Sequence, residues 1–224
     1  MSLPFVLALG FLMGMRHATD PDHVAAVSTI VARTRSMGHA AQLGAAWGIG
    51  HSVTVMAAGA VMIGFGQTLP AHVGLGLELV VGIVLVVLGA RNLHAWRTKQ
   101  QDPEGSDDGR ARTRRRLARS LAIGVVHGLA GSAGVTLLVL ASIREIGPAL
   151  LYLLVFGAGT VLGMALLTVG FAVPMLVSIR SLSSVRRHIV GATGLASVAV
   201  GVFVAYEVVV DGGLFSGAPH WSPR

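Results

Sequence analysis

The sequence has 224 residues, of which 53% are apolar and only 12% charged, with a mean hydropathy of +0.73. A soluble domain carries about a quarter charged residues, so the composition excludes an ordinary soluble fold and predicts an all-α, polytopic membrane helical bundle, its 30 glycines suited to close helix packing in lipid. Most of the +7 formal charge sits in one loop between apolar runs, which argues against nucleic-acid binding, and the lack of cysteine excludes disulfides, thiolate metal sites and thiol catalysis.

In chain order, the first apolar run covers 3–32 and is interrupted by Arg16-His17-Ala18-Thr19-Asp20-Pro21-Asp22-His23. Leu3 to Met15 lacks a basic leading region, and polar residues follow it with no small-residue cleavage site, so it predicts half of a membrane span and not a signal peptide. At 1.5 Å per residue that half reaches only about 20 Å, short of a bilayer, which places the polar cluster at membrane depth. Two His and two Asp there are costly unless they face a cavity with a partner or ligand. On a regular helix His17, Asp22 and His23 point apart. Pro21 interrupts the ladder, leaving the His17 carbonyl without its helical partner and pushing Asp20 toward extended backbone. The expectation is a broken helix whose imidazoles, carboxylates and freed carbonyl surround one point. Oxygen and imidazole ligands without thiolate suit a divalent first-row metal such as nickel or cobalt. The competing reading is a polar, helix-capping turn at the membrane surface.

The second run, 40–66, carries Trp47-Gly-Ile-Gly-His51-Ser52-Val-Thr54. His51 lies mid-span with Ser52 and Thr54 beside it, and the cluster in the first span favours a ligand over a packing histidine. A third run covers 73–93. The polar segment 97–118, with QQDPEGSDDG and then most of RARTRRRLAR, reads as a basic, solvated cytoplasmic loop. The fourth run, 119–143, contains Val126-His127-Gly128-Leu129-Ala130-Gly131-Ser132, where His127 and Ser132 are candidates for lining a pathway or completing the site. Runs at 148–178 and 188–210 complete six spans, and 211–224 reads as a short outward-facing tail. His39, His72, His94, His188 and His220 fall near span ends or in loops and read as surface residues.

With six crossings, Arg33, Arg35, Arg91, Arg97, Lys99, the arginines of 110–119, Arg180, Arg186 and Arg187 all fall on one side. The positive-inside rule then puts that side in the cytoplasm and both termini outside, in a multi-pass protein of the cell inner membrane. The halves look related: Gly14 and His17 recur as Gly124 and His127 at an offset of 110, Gly48 and Gly59 as Gly159 and Gly170 at 111, and Gly82 and Gly89 as Gly194 and Gly201 at 112. Two units of three spans, 1–96 and 119–210, must then insert upside down relative to each other, as in many secondary transporters with a midplane substrate site.

His17 followed after four residues by Asp22-His23 resembles the H-x4-D-H signature of the nickel/cobalt transporter family. Gly50-His51-Ser52-Val53-Thr54-Val55 resembles that family's second motif, a G-H-S followed by small β-branched residues. Members with eight spans carry a third motif rich in Asp, Thr and Glu, which is missing here. Six spans and the segment 126–132 are more similar to the urease-accessory-type nickel permeases. The resemblance implies a non-enzymatic permease of nickel or cobalt ions, with His17, Asp22, His23 and His51 as metal-handling positions; the residues themselves add Asp20, His127, Ser52, Thr54 and Ser132 as possible metal or pathway positions. Ni²⁺ or Co²⁺ would be transported substrate and not a cofactor. The expected partners are the ion and the lipid bilayer, without nucleic acid, and no feature specifies an oligomeric state. An alternative is an exporter of an organic or sulfur-containing solute, with the His/Asp cluster as a proton relay. A membrane metalloenzyme is disfavoured by the lack of an H-E-x-x-H motif.

Overall fold

Lipid offers no partner for backbone N–H and C=O groups, so apolar runs of this length close their hydrogen bonds internally as helices. The structure, a computed structural model, describes residues 3–32, 34, 36–65, 70–98, 109–129, 145–181, 183–216 and 218–220. It contains α1 (Leu3–His17), α2 (Pro21–Val31), α3 (Met37–Phe65), α4 (Ala71–Arg97), α5 (Gly109–Leu129), α6 (Ile146–Ser181) and α7 (Ser183–Tyr206), with a π-helical turn over Glu207–Asp211 and no strand among the described residues. By length and composition Ala71–Arg97, Ile146–Pro174 and Arg187–Asp211 are each able to cross a membrane, while Leu3–His17 is a shorter apolar helix.

The outer surface is apolar. Leu12, Val53, Ile83, Leu154, Leu195 and Phe203 are all more than half exposed, while Ser52, Thr54, Ser120, Thr160, Thr168 and Ser197 are buried. Such a large apolar exterior over a polar-flecked interior is a liability in water and the ordinary arrangement in lipid. The described elements thus form the helical membrane bundle that the composition implied.

Small residues set how the helices approach. A Cβ added to Gly14 would strike the Phe156 carbonyl, and one added to Gly124 would strike the Trp47 carbonyl; Gly159 faces the Phe11 carbonyl as Gly50 faces that of Leu121. Each contact of α1 with α6 therefore has a twin between α5 and α3. Where α4 crosses α7, Gly82 opposes Gly201 and Gly89 opposes Gly194, so those two helices run antiparallel. The α3–α6 crossing is antiparallel as well, with Ser52 against Gly157 and Gly48 against Val161. Exchanging the halves maps each pair onto another pair, which is the pattern of an inverted repeat. The offset in the second pair of spans is 109, matching Gly50 with Gly159. The sequence-based match of Gly48 with Gly159 is two residues out of register, because glycines are frequent enough to align by coincidence.

Side-chain donors tie the crossings to backbone carbonyls: Ser120 to Leu43, Asn92 to Thr29, and Ser197 to Leu85 at 2.7, 3.1 and 2.8 Å. Interhelical bonds of this kind are worth about 0.6 kcal/mol each. Ser197→Ala is expected to cost about that much, seen as a small drop in the melting temperature of the purified protein with its fold unchanged.

Two segments depart from the sequence-based expectation. α5 begins at Gly109, so the second half of the basic stretch is helix and not loop; Arg, Ala and Leu are all good helix formers, and their helix continues past the apolar run. At the other end, the described residues of 211–216 and 218–220 make a hydrogen-bonded reversal after the π-helical turn. Leu214 N–H bonds the Val208 carbonyl and His220 N–H that of Gly212, with Gly213 at φ +60 making the reversal. The part of the fourth span beyond 129, Ser132 included, and the acidic stretch before 109 lie outside the described residues.

Candidate metal centre

The first span breaks where the sequence placed the break. α1 stops at His17, and Pro21 starts α2 as its first residue, a position that lacks a helical N–H partner anyway. Asp20, the N-cap, has extended backbone at φ −60 and ψ 145, but its carboxylate makes no capping bond. It accepts instead from His17 Nδ1 at 2.8 Å. The His17 carbonyl does not join the site: the Asp20 N–H takes it at 3.1 Å, because a backbone acceptor at membrane depth does not remain unpaired.

Four elements bring four imidazoles together. His17 ends α1, His23 lies in the first turn of α2, His51 sits halfway along α3, and His127 is near the end of the described part of α5. All four are buried, and His23, His51 and His127 have no exposed surface. Ring centroids are 4.7 Å apart for His17 and His23, 4.9 Å for His17 and His51, 5.0 Å for His23 and His51, and 5.1 Å for His23 and His127. Nitrogens of His17, His23 and His51 all lie within 4.8 Å of one another, the one arrangement of three or more possible metal ligands found among the described residues. The four rings are turned into the bundle, while Thr19 and Pro21 of the turn between α1 and α2 are exposed.

The hydrogen bonds fix which nitrogens point inward. A carboxylate accepts only, so His17 carries its proton on Nδ1, toward Asp20, and His23 carries its proton on Nδ1, toward Asp22 Oδ1 at 2.9 Å. Their Nε2 lone pairs are left for the centre of the cluster. His17 Nε2 stands 2.9 Å from His51 Nε2, and His23 Nε2 and His51 Nδ1 make no hydrogen bond. Two nitrogens each about 2.1 Å from a shared ion at a right angle are about 3.0 Å apart, so this separation suits two adjacent ligands. A carboxylate behind each imidazole is the usual support of a metal-binding histidine. α1 also ends at the cluster, and the negative end of its dipole favours a cation there.

The other sequence candidates take different places. Asp22 and Asp20 bond histidines; the second Asp22 oxygen lies 3.5 Å from His127 Nε2. Ser52 donates to the Gly157 carbonyl and Thr54 to that of Gly50, so both hydroxyls serve helix packing. Two aromatic residues had gone unremarked as site members. Trp47 stacks on His23 at 5.8 Å and meets His127 edge-on at 5.3 Å, and Phe156 lies 5.6 Å from His17. Trp47 precedes His51 by four residues, the spacing that puts two side chains on one helix face, so the signal was present. At the repeat offsets His17 pairs with His127 and Phe156 with Trp47, which sets the cluster on the interface between the two halves.

No family model matches the chain, and no solved structure matches it. A curated relative does: the urease accessory protein UreH of Bacillus sp. (strain TB-90) is 35% identical over 216 residues, covering 94% of each chain. Identity at that level along almost the whole length, joined to a helical bundle that buries the histidines of both signature motifs in one cluster, places this chain in the family of the urease accessory protein UreH.

Proposed function

We propose that the protein is a membrane permease for a divalent first-row transition-metal ion, nickel or cobalt, that the ion is held by His17, His23 and His51, and that it crosses by alternating access between the halves 1–96 and 119–210. The observation that carries this reading is the convergence of three buried imidazoles, two of them held by carboxylates with Nε2 facing inward. Kinship with a urease accessory protein, together with the resemblance of the signature motifs to the urease-accessory-type nickel permeases, favours nickel. The site's place between two inverted halves, beside a broken helix, is that of a transporter substrate. Asp20 and Asp22 act through the histidines: they fix the tautomer and supply negative charge that offsets the ion. His127, within reach of the Asp22 carboxylate, is a pathway residue on the second half's side. The basic ends of α4 and α5 face the cytoplasm and both termini face out.

Protein reconstituted in vesicles, with radioactive nickel as the tracer, tests this. Saturable uptake or efflux is expected, competed by cobalt and not by magnesium or calcium, which prefer oxygen ligands. Asp20→Asn and Asp22→Asn keep an acceptor for each histidine but remove the charge, and should weaken nickel binding about 10- to 100-fold. Nickel movement no faster than in empty vesicles would remove the permease assignment.

A further inference from the structure

The cluster holds a fourth imidazole that the three-nitrogen site does not use. His127 is fully buried on α5, and neither of its ring nitrogens makes a hydrogen bond. Polar atoms buried without a partner are uncommon and cost stability. The ring is firmly placed all the same: Gly124 and Gly128, on either side of it, pack α5 against the carbonyls of Trp47 and His51.

What His127 faces is a carboxylate. Asp22 Oδ1 accepts from His23 Nδ1 at 2.9 Å, and Asp22 Oδ2 lies 3.5 Å from His127 Nε2. One carboxylate thus stands between an imidazole of the first half, on α2, and one of the second half, on α5. Two donors each about 2.1 Å from one ion at the tetrahedral angle are about 3.4 Å apart. The separation of Oδ2 and Nε2 therefore fits an ion between them. A neutral imidazole with its proton on Nδ1 presents the Nε2 lone pair that this needs. The repeat supplies a second reason. His127 is the counterpart of His17, and it meets Trp47 as His17 meets Phe156. When inverted halves exchange conformations each takes on the other's surroundings, so the residue that comes to replace His17 beside the ion is His127.

We propose, resting on the permease reading above, that Asp22 Oδ2 and His127 Nε2 form a second metal position, to which the ion passes from His17, His23 and His51 as the halves exchange conformations. Bonds to ring nitrogens of the first site break as bonds to Oδ2 and Nε2 form, with no change in the charge of the ion. One carboxylate and one imidazole hold a borderline ion less firmly than three nitrogens, so the second position is a point of transit. Asp22 keeps its hold on His23 through Oδ1 while Oδ2 receives the ion.

The test measures nickel affinity and nickel transport side by side, on full-length protein in vesicles. His127→Phe keeps an aromatic ring against Trp47 but has no donor atom. It should bind nickel within about threefold of the parent and move it at least about tenfold more slowly. His127→Cys supplies a softer ligand in a chain with no other thiol. It should recover most of the parent's rate and raise the rate for zinc relative to nickel, a change of metal preference that a packing residue does not produce. Melting temperatures of both variants serve as the folding control. Transport by folded His127→Phe within about twofold of the parent's rate would overturn the second position, and so would a loss of nickel affinity of about 100-fold, which would make His127 a ligand of the first site. A zinc-to-nickel ratio in His127→Cys equal to the parent's would overturn it too, even where His127→Phe does not fold. Parent protein that neither binds nor moves nickel would instead remove the permease reading, and the second position with it.

Discussion

His51→Ala is expected to abolish saturable nickel binding by the purified protein, raising the dissociation constant more than about 100-fold, above the range found when only a supporting residue is lost. His51 Nε2 is the nearest nitrogen to His17 Nε2, and no other described side chain stands where it does. A deletion at this point leaves His17 and His23 with two nitrogens, too few to hold a borderline ion against water. The loss must not come from unfolding. His51 is fully buried, so its removal leaves a cavity, but its ring makes only one hydrogen bond, and His51→Gln keeps volume and polarity. Both variants should elute as folded protein, and both should fail in a calorimetric nickel titration. Nickel affinity within about threefold of the parent in either folded variant would rule out the histidine cluster as the site. The organic-solute exporter predicts that outcome, since a proton relay has no need of equilibrium metal binding.

The second large effect concerns packing. Gly124→Leu should yield no folded protein, because the new side chain would meet the Trp47 carbonyl and push α5 off α3 at the very contact that seats His51 and His127. Gly124→Ala is the informative case. On an isolated helix alanine is favoured over glycine by about 1 kcal/mol, so a neutral site would gain stability. Here the obstructing atom is backbone, which cannot rotate away, and over-packing of this kind costs about 1–3 kcal/mol. A net loss is expected. Gly76, with nothing within 4 Å of an added Cβ, provides the control, and Gly76→Ala should be neutral or mildly stabilising. Comparing the melting temperatures of the two alanine variants decides the matter, and a Gly124→Ala protein as stable as Gly76→Ala would refute the close contact. Gly14→Ala, the twin of Gly124→Ala across the two halves, should behave alike if the repeat is real.

Much of this could be read before any coordinates. Charge scarcity and long apolar runs were enough for a helical membrane bundle, since lipid leaves such segments no other way to satisfy their backbones. Pro21, without an N–H, had to interrupt the first span, and the shortness of Leu3–Met15 put the polar residues at depth. The donor types expected at the cluster followed from its sequence, because His17 to His23 offers imidazole and oxygen and the chain has no cysteine thiolate.

Tertiary structure decided how these groups divide their work. The H-x4-D-H motif put Asp22 among the metal-handling positions without showing its neighbours; the turn at 18–20 brings Asp20 back to His17 Nδ1 and places Asp22 beside His23 Nδ1. Which helices meet was equally hidden. In a membrane the outward face is apolar and much of the inward face is too, so the hydrophobic pattern that orients a soluble helix is nearly flat. Only the fit of one glycine to one carbonyl selects the partner, as Gly14 fits Phe156 and Gly124 fits Trp47. Local sequence therefore determined the elements and the chemistry of their side chains, while contacts between residues a hundred positions apart determined the centre to which that chemistry converges.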